Sequence, residues 1–99
     1  MTVLLDNVTA NVEGAAVAKR GGPAVVIVRG DTYDSGTVNI QMASVNDTVA
    51  GPRFSTLTDG AFTTDGQVKI DYLPVGTLIR ATLTGSSGSS VNMYAELLQ

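Results

Sequence analysis

The chain has 99 residues, of which 43% are hydrophobic and 15% are charged, and its formal net charge is −3. This length allows one domain with one modest core, and the hydrophobic fraction excludes a chain that is disordered by composition. The sequence has no cysteine and no histidine. Disulfides, thiolate nucleophiles, imidazole bases and Cys/His zinc sites are therefore excluded.

The first 20 residues predict an N-terminal arm or an edge strand that precedes the main domain. Apolar residues such as Leu4 and Leu5 occur there, but Gly14 and several asparagines interrupt the pattern. Residues 15–20 are flanked by glycines, so an extended segment is preferred over a short helix. We expect part of this arm, including Leu4 and Leu5, to contact a neighbouring subunit.

The segment at residues 24–28, Ala-Val-Val-Ile-Val, is apolar at every position and follows a Gly-Gly-Pro turn signal. Apolar runs of this length are typical of strands that are buried on both faces. The segment is therefore either a central strand covered on both sides or a strand whose outer face, including Val26 or Val28, meets a partner. Residues 30–36 then link it to the next strand through a hairpin or a corner.

Alternation of apolar and polar residues predicts the remaining strands. One face of each strand is apolar and the other is polar, as expected for strands with one buried and one solvated face. The apolar positions, on the strand faces predicted to be buried, are Val38, Ile40 and Met42; Val68, Ile70 and Tyr72; Ile79, Ala81 and Leu83; and Val91, Met93, Ala95 and Leu97. All of them except Tyr72 and Leu97 form the predicted core.

Turn signals separate these apolar runs. Asp59-Gly60, Asp65-Gly66 and residues 74–76 (Pro-Val-Gly) predict turns, because glycine permits positive φ and aspartate caps its own backbone. The Gly/Ser-rich residues 85–90 predict a hairpin loop between the last two strands. The sequence thus predicts an all-β fold, an antiparallel β-sandwich of about seven strands with Greek-key or jelly-roll-like connections, over residues 21–99.

The charge pattern does not fit a nucleic-acid or membrane partner. Lysines and arginines are scattered, and the one adjacent pair, Lys19 and Arg20, is expected to be solvated in a loop. No apolar run approaches the roughly 20 residues of a transmembrane helix. The first residues lack the basic and apolar regions of a signal peptide, so we expect a protein made in a cytoplasm.

Carboxylates are the remaining candidates for chemistry. Asp31 and Asp34 lie in one predicted loop, and Asp59 and Asp65 flank another segment. The first loop lacks the spacing of an EF-type calcium site, so turn formation is preferred over weak calcium binding. No activating base accompanies the serines and threonines. The sequence predicts no enzyme, no cofactor, no metal site and no small-molecule substrate.

Leu78, Tyr94 and Leu98 are out of phase with the predicted core and fall on strand faces that should be solvated. Scattered exposed apolar residues are common in monomeric proteins. The alternative is a face that another subunit buries, since a small domain without disulfides or metals gains stability from assembly.

Three segments carry a family resemblance: residues 21–30 (GGPAVVIVRG), residues 36–44 (GTVNIQMAS) and residues 74–85 (PVGTLIRATLTG), before a closing strand. In these segments the chain resembles small virion proteins of tailed bacteriophages, in particular capsid decoration, or head cement, proteins. Phe54 stands where a tryptophan is more usual in such proteins. The motifs are strand and turn patterns without chemical residues.

The resemblance implies a non-enzymatic virion structural protein that decorates and stabilises a capsid by binding its outer surface between capsid subunits. It implies the major capsid protein as partner, a homotrimer as the assembly and the capsid surface as the location. The alternatives are a head-fibre, tail or connector-associated virion module, or a cell-surface glycan-binding β-sandwich with exposed aromatic residues in a groove. The candidate subunit or capsid contacts are Leu4, Leu5, Val26, Val28, Leu78, Tyr94 and Leu98.

Overall fold

The computed structural model describes residues 2–47, 51–88 and 90–99, and this part of the chain contains nine β-strands and no helix. The all-β prediction is confirmed. The strands are β1 (Thr2–Val8), β2 (Val12–Glu13), β3 (Val17–Ala18), β4 (Val25–Arg29), β5 (Thr37–Ala43), β6 (Ser55–Phe62), β7 (Gly66–Lys69), β8 (Leu78–Thr84) and β9 (Met93–Leu98).

The strands form two antiparallel sheets that pack face to face. The four-stranded sheet has the order β1-β9-β4-β7, and the five-stranded sheet has the order β2-β8-β5-β6, with β3 also paired to β8. Because β2 and β3 both pair with β8, they count as one interrupted strand. Successive strands then alternate between the sheets, except β5 and β6, which is the arrangement of a jelly roll. The predicted β-sandwich with jelly-roll-like connections is confirmed.

The core lies between the two sheets and consists of the inward positions of each strand. The predicted core residues of β8 and β9 are fully buried, as are Val38 and Ile40 of β5. Met42 and Val68 are partly buried and pack against this core. Tyr72 was expected on the buried face of its strand, but β7 ends at Lys69 and a turn follows, so Leu73 enters the core and Tyr72 is exposed.

The Asp59-Gly60 pair does not end a strand, contrary to the prediction, because β6 runs through it. Asn39 of β5 pairs with Ala61 of β6, whereas Gln41 of β5 pairs with Thr56. The intervening segment of β6 is therefore longer than the segment of β5 that it faces. Asp59 has φ 60°, so the dipeptide forms a bulge inside β6 rather than a turn between strands. A Cβ on Gly60 would lie 2.9 Å from the Leu57 Cβ atom, so the bulge requires glycine.

The prediction of a hairpin between the last two strands is also wrong. β8 and β9 belong to different sheets, so the connection after β8, which includes the Gly/Ser segment, crosses the sandwich. Ser89 lies outside the described residues. Residues 30–36 likewise cross between sheets, as the corner alternative required. The Pro-Val-Gly turn is present: the Thr77 amide donates to the Pro74 carbonyl at 3.2 Å.

The N-terminal segment is built into the sandwich. β1 is the outer strand of the four-stranded sheet and pairs with β9. Leu4 and Leu5 are both buried, because shifts in the β1–β9 register let adjacent residues turn inward. Gly14 interrupts β2 and β3, and a Cβ there would lie 2.5 Å from the Leu4 carbonyl oxygen of the opposite sheet. The expectation that Leu4 and Leu5 contact a neighbouring subunit is therefore corrected.

Lys19 departs from the expected solvated pair. Its side chain is buried, and its ammonium group donates to the carbonyl oxygen of Arg20 at 2.8 Å. The adjacent basic residues therefore do not form a charged surface patch. No helix in the described part of the chain is long and apolar enough to span a membrane.

Candidate interaction surface

The outer face of the four-stranded sheet presents a group of apolar side chains. Val25 lies opposite Leu98, Val3 and Ile27 lie on either side of Glu96, and Tyr94 lies opposite Arg29. These side chains point outward because they alternate with buried core residues on the same strands. We call this surface the apolar face; its residues are Val3, Val25, Ile27, Tyr94 and Leu98.

Polar side chains border the apolar face along its β7 edge. Lys69 lies opposite Val25 and Gln67 lies opposite Ile27, both on β7, and both are exposed. Val3 is 45% exposed, whereas the other apolar residues of the face are partly buried by their neighbours. Apart from Glu96, the face therefore has the composition of many protein–protein interfaces, in which apolar side chains are bordered by polar ones.

Glu96 is the charged residue within the apolar face, and Tyr94 is its partner. The Tyr94 hydroxyl donates a hydrogen bond of 2.8 Å to the Glu96 carboxylate. That hydrogen bond, burial, and the charges of Glu96 and Asp6 raise the pKa of Tyr94. A partner docked here must leave the Glu96 carboxylate in contact with water or offer it a second donor, because burying an unpaired charge is costly.

The predicted contact residues divide into three groups. Tyr94 and Leu98 lie on the apolar face and are partly buried. Leu78 is also partly buried but belongs to the five-stranded sheet, opposite Ala18 and Ala43, so it is not part of that surface. The remaining four side chains face the core.

Val26 and Val28 are fully buried, so their prediction as contacts is corrected. In the apolar run of β4, Val25 and Ile27 face outward and these two valines face inward. Val25 and Ile27 were missed in the sequence. The sequence signal for their outward orientation was Arg29, which follows Ile27 by two positions and Val25 by four. Because side chains alternate along a strand, this charged residue marks the solvated side of β4.

The opposite surface of the sandwich is polar, and several of its polar side chains bond to one another. On the five-stranded sheet, the Arg80 guanidinium donates to Gln41 Oε1 at 2.8 Å and lies 3.1 Å from a Glu13 carboxylate oxygen. It also lies over the Phe54 ring, 4.0 Å from the centroid. Phe54 therefore packs beneath a cation on this sheet. The two outer faces differ in polarity, and only the four-stranded sheet presents the apolar face.

The aspartates of the loops are engaged in turns. Asp65 Oδ1 accepts hydrogen bonds from the Gly30 amide at 2.9 Å and from the Tyr33 hydroxyl at 3.1 Å. An Asp31 carboxylate oxygen accepts from Asn92 Nδ2 at 2.8 Å. Among the residues that the structure describes, no group of three or more Asp and Glu side chains could hold a metal ion.

Because the Tyr33 hydroxyl donates a hydrogen bond to Asp65, we expect the protein to lose stability at alkaline pH. Burial raises the pKa of Tyr33, and the hydrogen bond and negative charge of Asp65 raise it further. The folded state therefore retains the phenolic proton more tightly than the unfolded state, whose tyrosine pKa is about 10. The stabilisation is complete below about pH 10 and is lost as the pH rises through the folded pKa.

We expect the free energy of unfolding to fall more steeply above pH 10 in the wild type than in Tyr33→Phe. Urea titrations at a series of pH values from about 8 to 11.5 measure this difference. Tyr33→Phe keeps the ring and removes the ionisable hydroxyl. Equal pH dependence in the two proteins would contradict the assignment.

Comparisons of the chain with protein-family models, with curated proteins and with solved structures found no match. Function is therefore inferred from the residues and their placement alone.

Proposed function

We propose that this protein is a non-enzymatic structural protein of a bacteriophage virion, which decorates and stabilises the capsid. It binds the outer capsid surface between subunits of the major capsid protein and acts as a homotrimer. The observation that supports this proposal is the difference between the two outer faces of the sandwich: the apolar face on one side and the polar, internally bonded face on the other.

A protein that coats a shell needs this kind of asymmetry. The apolar face gains about 25 cal/mol for each Å² of apolar surface that a partner removes from water. The opposite face, with Arg80 bonded to Gln41 and Glu13, is suited to remain in solvent. Each contact can be weak, because many copies on a closed shell act together. Closed three-fold symmetry would also keep the subunits from polymerising.

A cosedimentation experiment tests the capsid contact. Purified protein is mixed with shells assembled from the major capsid protein of the same genome, and the bound fraction is measured. Ile27→Lys replaces an apolar side chain of this face by a second charged one, directly opposite Glu96, and we expect it to weaken binding by roughly tenfold or more. Thr84→Lys, on the exposed end of β8, is the matched control and should bind as the wild type does.

Light scattering tests the assembly. We expect a particle of about three times the 10.2 kDa chain mass at micromolar concentration. A 10.2 kDa monomer would contradict self-association. A trimer that does not bind the shells, or an Ile27→Lys variant that binds as the wild type does, would contradict capsid decoration through the apolar face.

A further inference from the structure

An open groove of about 570 Å³ lies at one edge of the sandwich, where the outer strands β6 and β7 of the two sheets approach each other. Its lining residues are Thr58, Asp59, Gln67, Val68, Lys69 and Tyr72. The groove borders the apolar face only through the rim residues Gln67 and Lys69. The groove is open to solvent, so a ligand would lie along it rather than inside an enclosed cavity.

Tyr72 gives this groove an accessible aromatic ring. Its side chain is 67% exposed, the largest exposure of any aromatic residue in the described part of the chain. Tyr72 lies in the turn after β7, next to Leu73, which is buried in the core. A large aromatic side chain exposed to water is a surface on which an apolar ring face can stack.

The polar side chains of the groove are free to bind a ligand. Asp59, Gln67 and Lys69 are exposed, and their side chains make no hydrogen bond or ion pair with any residue that the structure describes. This contrasts with Asp31, Asp65 and Arg80, which are all engaged. The groove thus combines a carboxylate that accepts hydrogen bonds, an ammonium group that donates them and an amide that can donate and accept.

The backbone at Asp59 is specialised for this position. Asp59 has φ 60°, and the adjacent Gly60 is buried against Leu57 and Ile40 in the bulge of β6. An aspartate tolerates this left-handed conformation better than most residues, but it remains an uncommon one. The bulge places Asp59 in the lining of the groove instead of in the regular ladder with β5.

We propose that this groove binds a neutral saccharide. The Tyr72 ring stacks on the apolar face of a pyranose, the Asp59 carboxylate accepts hydrogen bonds from its hydroxyls, and Gln67 and Lys69 donate to its oxygens. The groove carries one acidic side chain, Asp59, and one basic side chain, Lys69, which favours a neutral polyol over a phosphate or nucleic acid that would require a basic groove. An apolar ligand would leave three polar side chains without partners.

An NMR titration tests this site on the full chain. The ¹⁵N-labelled protein is titrated with maltohexaose, cellohexaose and hexa-N-acetylchitohexaose, each to roughly millimolar concentration. We expect at least one of these oligosaccharides to shift the amide signals of Asp59, Gln67 and Lys69 and the ring signals of Tyr72. No shift at these residues with any of the three probes would overturn the proposal.

Variants of Tyr72 separate ring stacking from other contacts. Tyr72→Ala should weaken binding of the active oligosaccharide by roughly tenfold or more, whereas Tyr72→Phe keeps the ring and should remain within about threefold of the wild type. Val75→Ala, in the same connection but outside the groove and 71% exposed, is the control and should bind normally. Unchanged binding by Tyr72→Ala would contradict the site. Capsid cosedimentation of Tyr72→Ala should be normal, so this proposal and the proposed virion function fail independently.

Discussion

Deletion of residues 1–8 is expected to unfold the domain. Leu4 and Leu5 are 5% and 2% exposed, and β1 covers one edge of β9. Loss of a buried leucine side chain costs about 2–5 kcal/mol, and a small domain has a total stability of about 5–15 kcal/mol. Removing two such side chains together with the strand that carries them is therefore expected to exceed the available stability.

Circular dichroism and urea unfolding of the truncated chain measure this effect. We expect no cooperative unfolding transition. Val3→Ala is the matched control within the same strand, because Val3 is 45% exposed, and it should change the free energy of unfolding by less than about 1 kcal/mol. A truncated protein that remains folded and has lost only its ability to assemble would restore the interpretation of residues 1–8 as an assembly arm.

Leu83→Ala is expected to lower the free energy of unfolding by about 2–5 kcal/mol. Leu83 is fully buried on β8, which pairs with β5 on one side and with β2 and β3 on the other. The surrounding strands cannot collapse freely into the space of the missing side chain, because their backbones are fixed by hydrogen bonds on both sides of β8. Ile40→Ala on β5 should have a cost in the same range.

Urea titrations of Leu83→Ala and Ile40→Ala, with Val75→Ala as the exposed control, measure these costs. Val75 is 71% exposed, so its truncation should change stability by about 0.5 kcal/mol or less. The midpoints should shift while the dependence on urea concentration stays similar. Costs below about 1 kcal/mol for both core variants would mean that the sheets pack less tightly than the burial of these residues implies.

The alternation of residues was sufficient to predict the inward face of β5, β8 and β9, because each strand carries polar residues that define its solvated side. It could not do so for β4, where every position from residue 24 to residue 28 is apolar. Arg29, just beyond this run, is the one polar residue that marks the solvated side of β4, and the structure shows Val25 and Ile27 on that side. Two of the five residues of the apolar face, Tyr94 and Leu98, were predicted from the sequence.

Two Asp-Gly pairs show why turn chemistry alone does not predict topology. Asp65-Gly66 stands where the chain passes from β6 to β7, whereas Asp59-Gly60 stays inside β6 as a bulge. Of the two pairs, only Asp59-Gly60 contains a residue with positive φ, Asp59, and there the pairing of Ala61 with Asn39 keeps the chain in the same strand. Tyr72 was wrongly placed on the buried face of a strand for a related reason: the alternation continues past Lys69, although the strand does not.

The alternation of strands between the two sheets determines when the parts of the molecule can fold. When β2 and β3 are counted as one strand, β5 and β6 are the only consecutive described strands that pair in the same sheet. Among the described strands, only this pair resembles a local hairpin. β1 cannot join the sheet before β9 is in place, since Val3 and Leu5 pair with Glu96 and Ala95. Folding that depends on such distant pairings is slow, in the range of milliseconds to seconds. Leu4 and Leu5 therefore remain in water until the opposite end of the chain arrives, and during that interval the chain is most prone to aggregate.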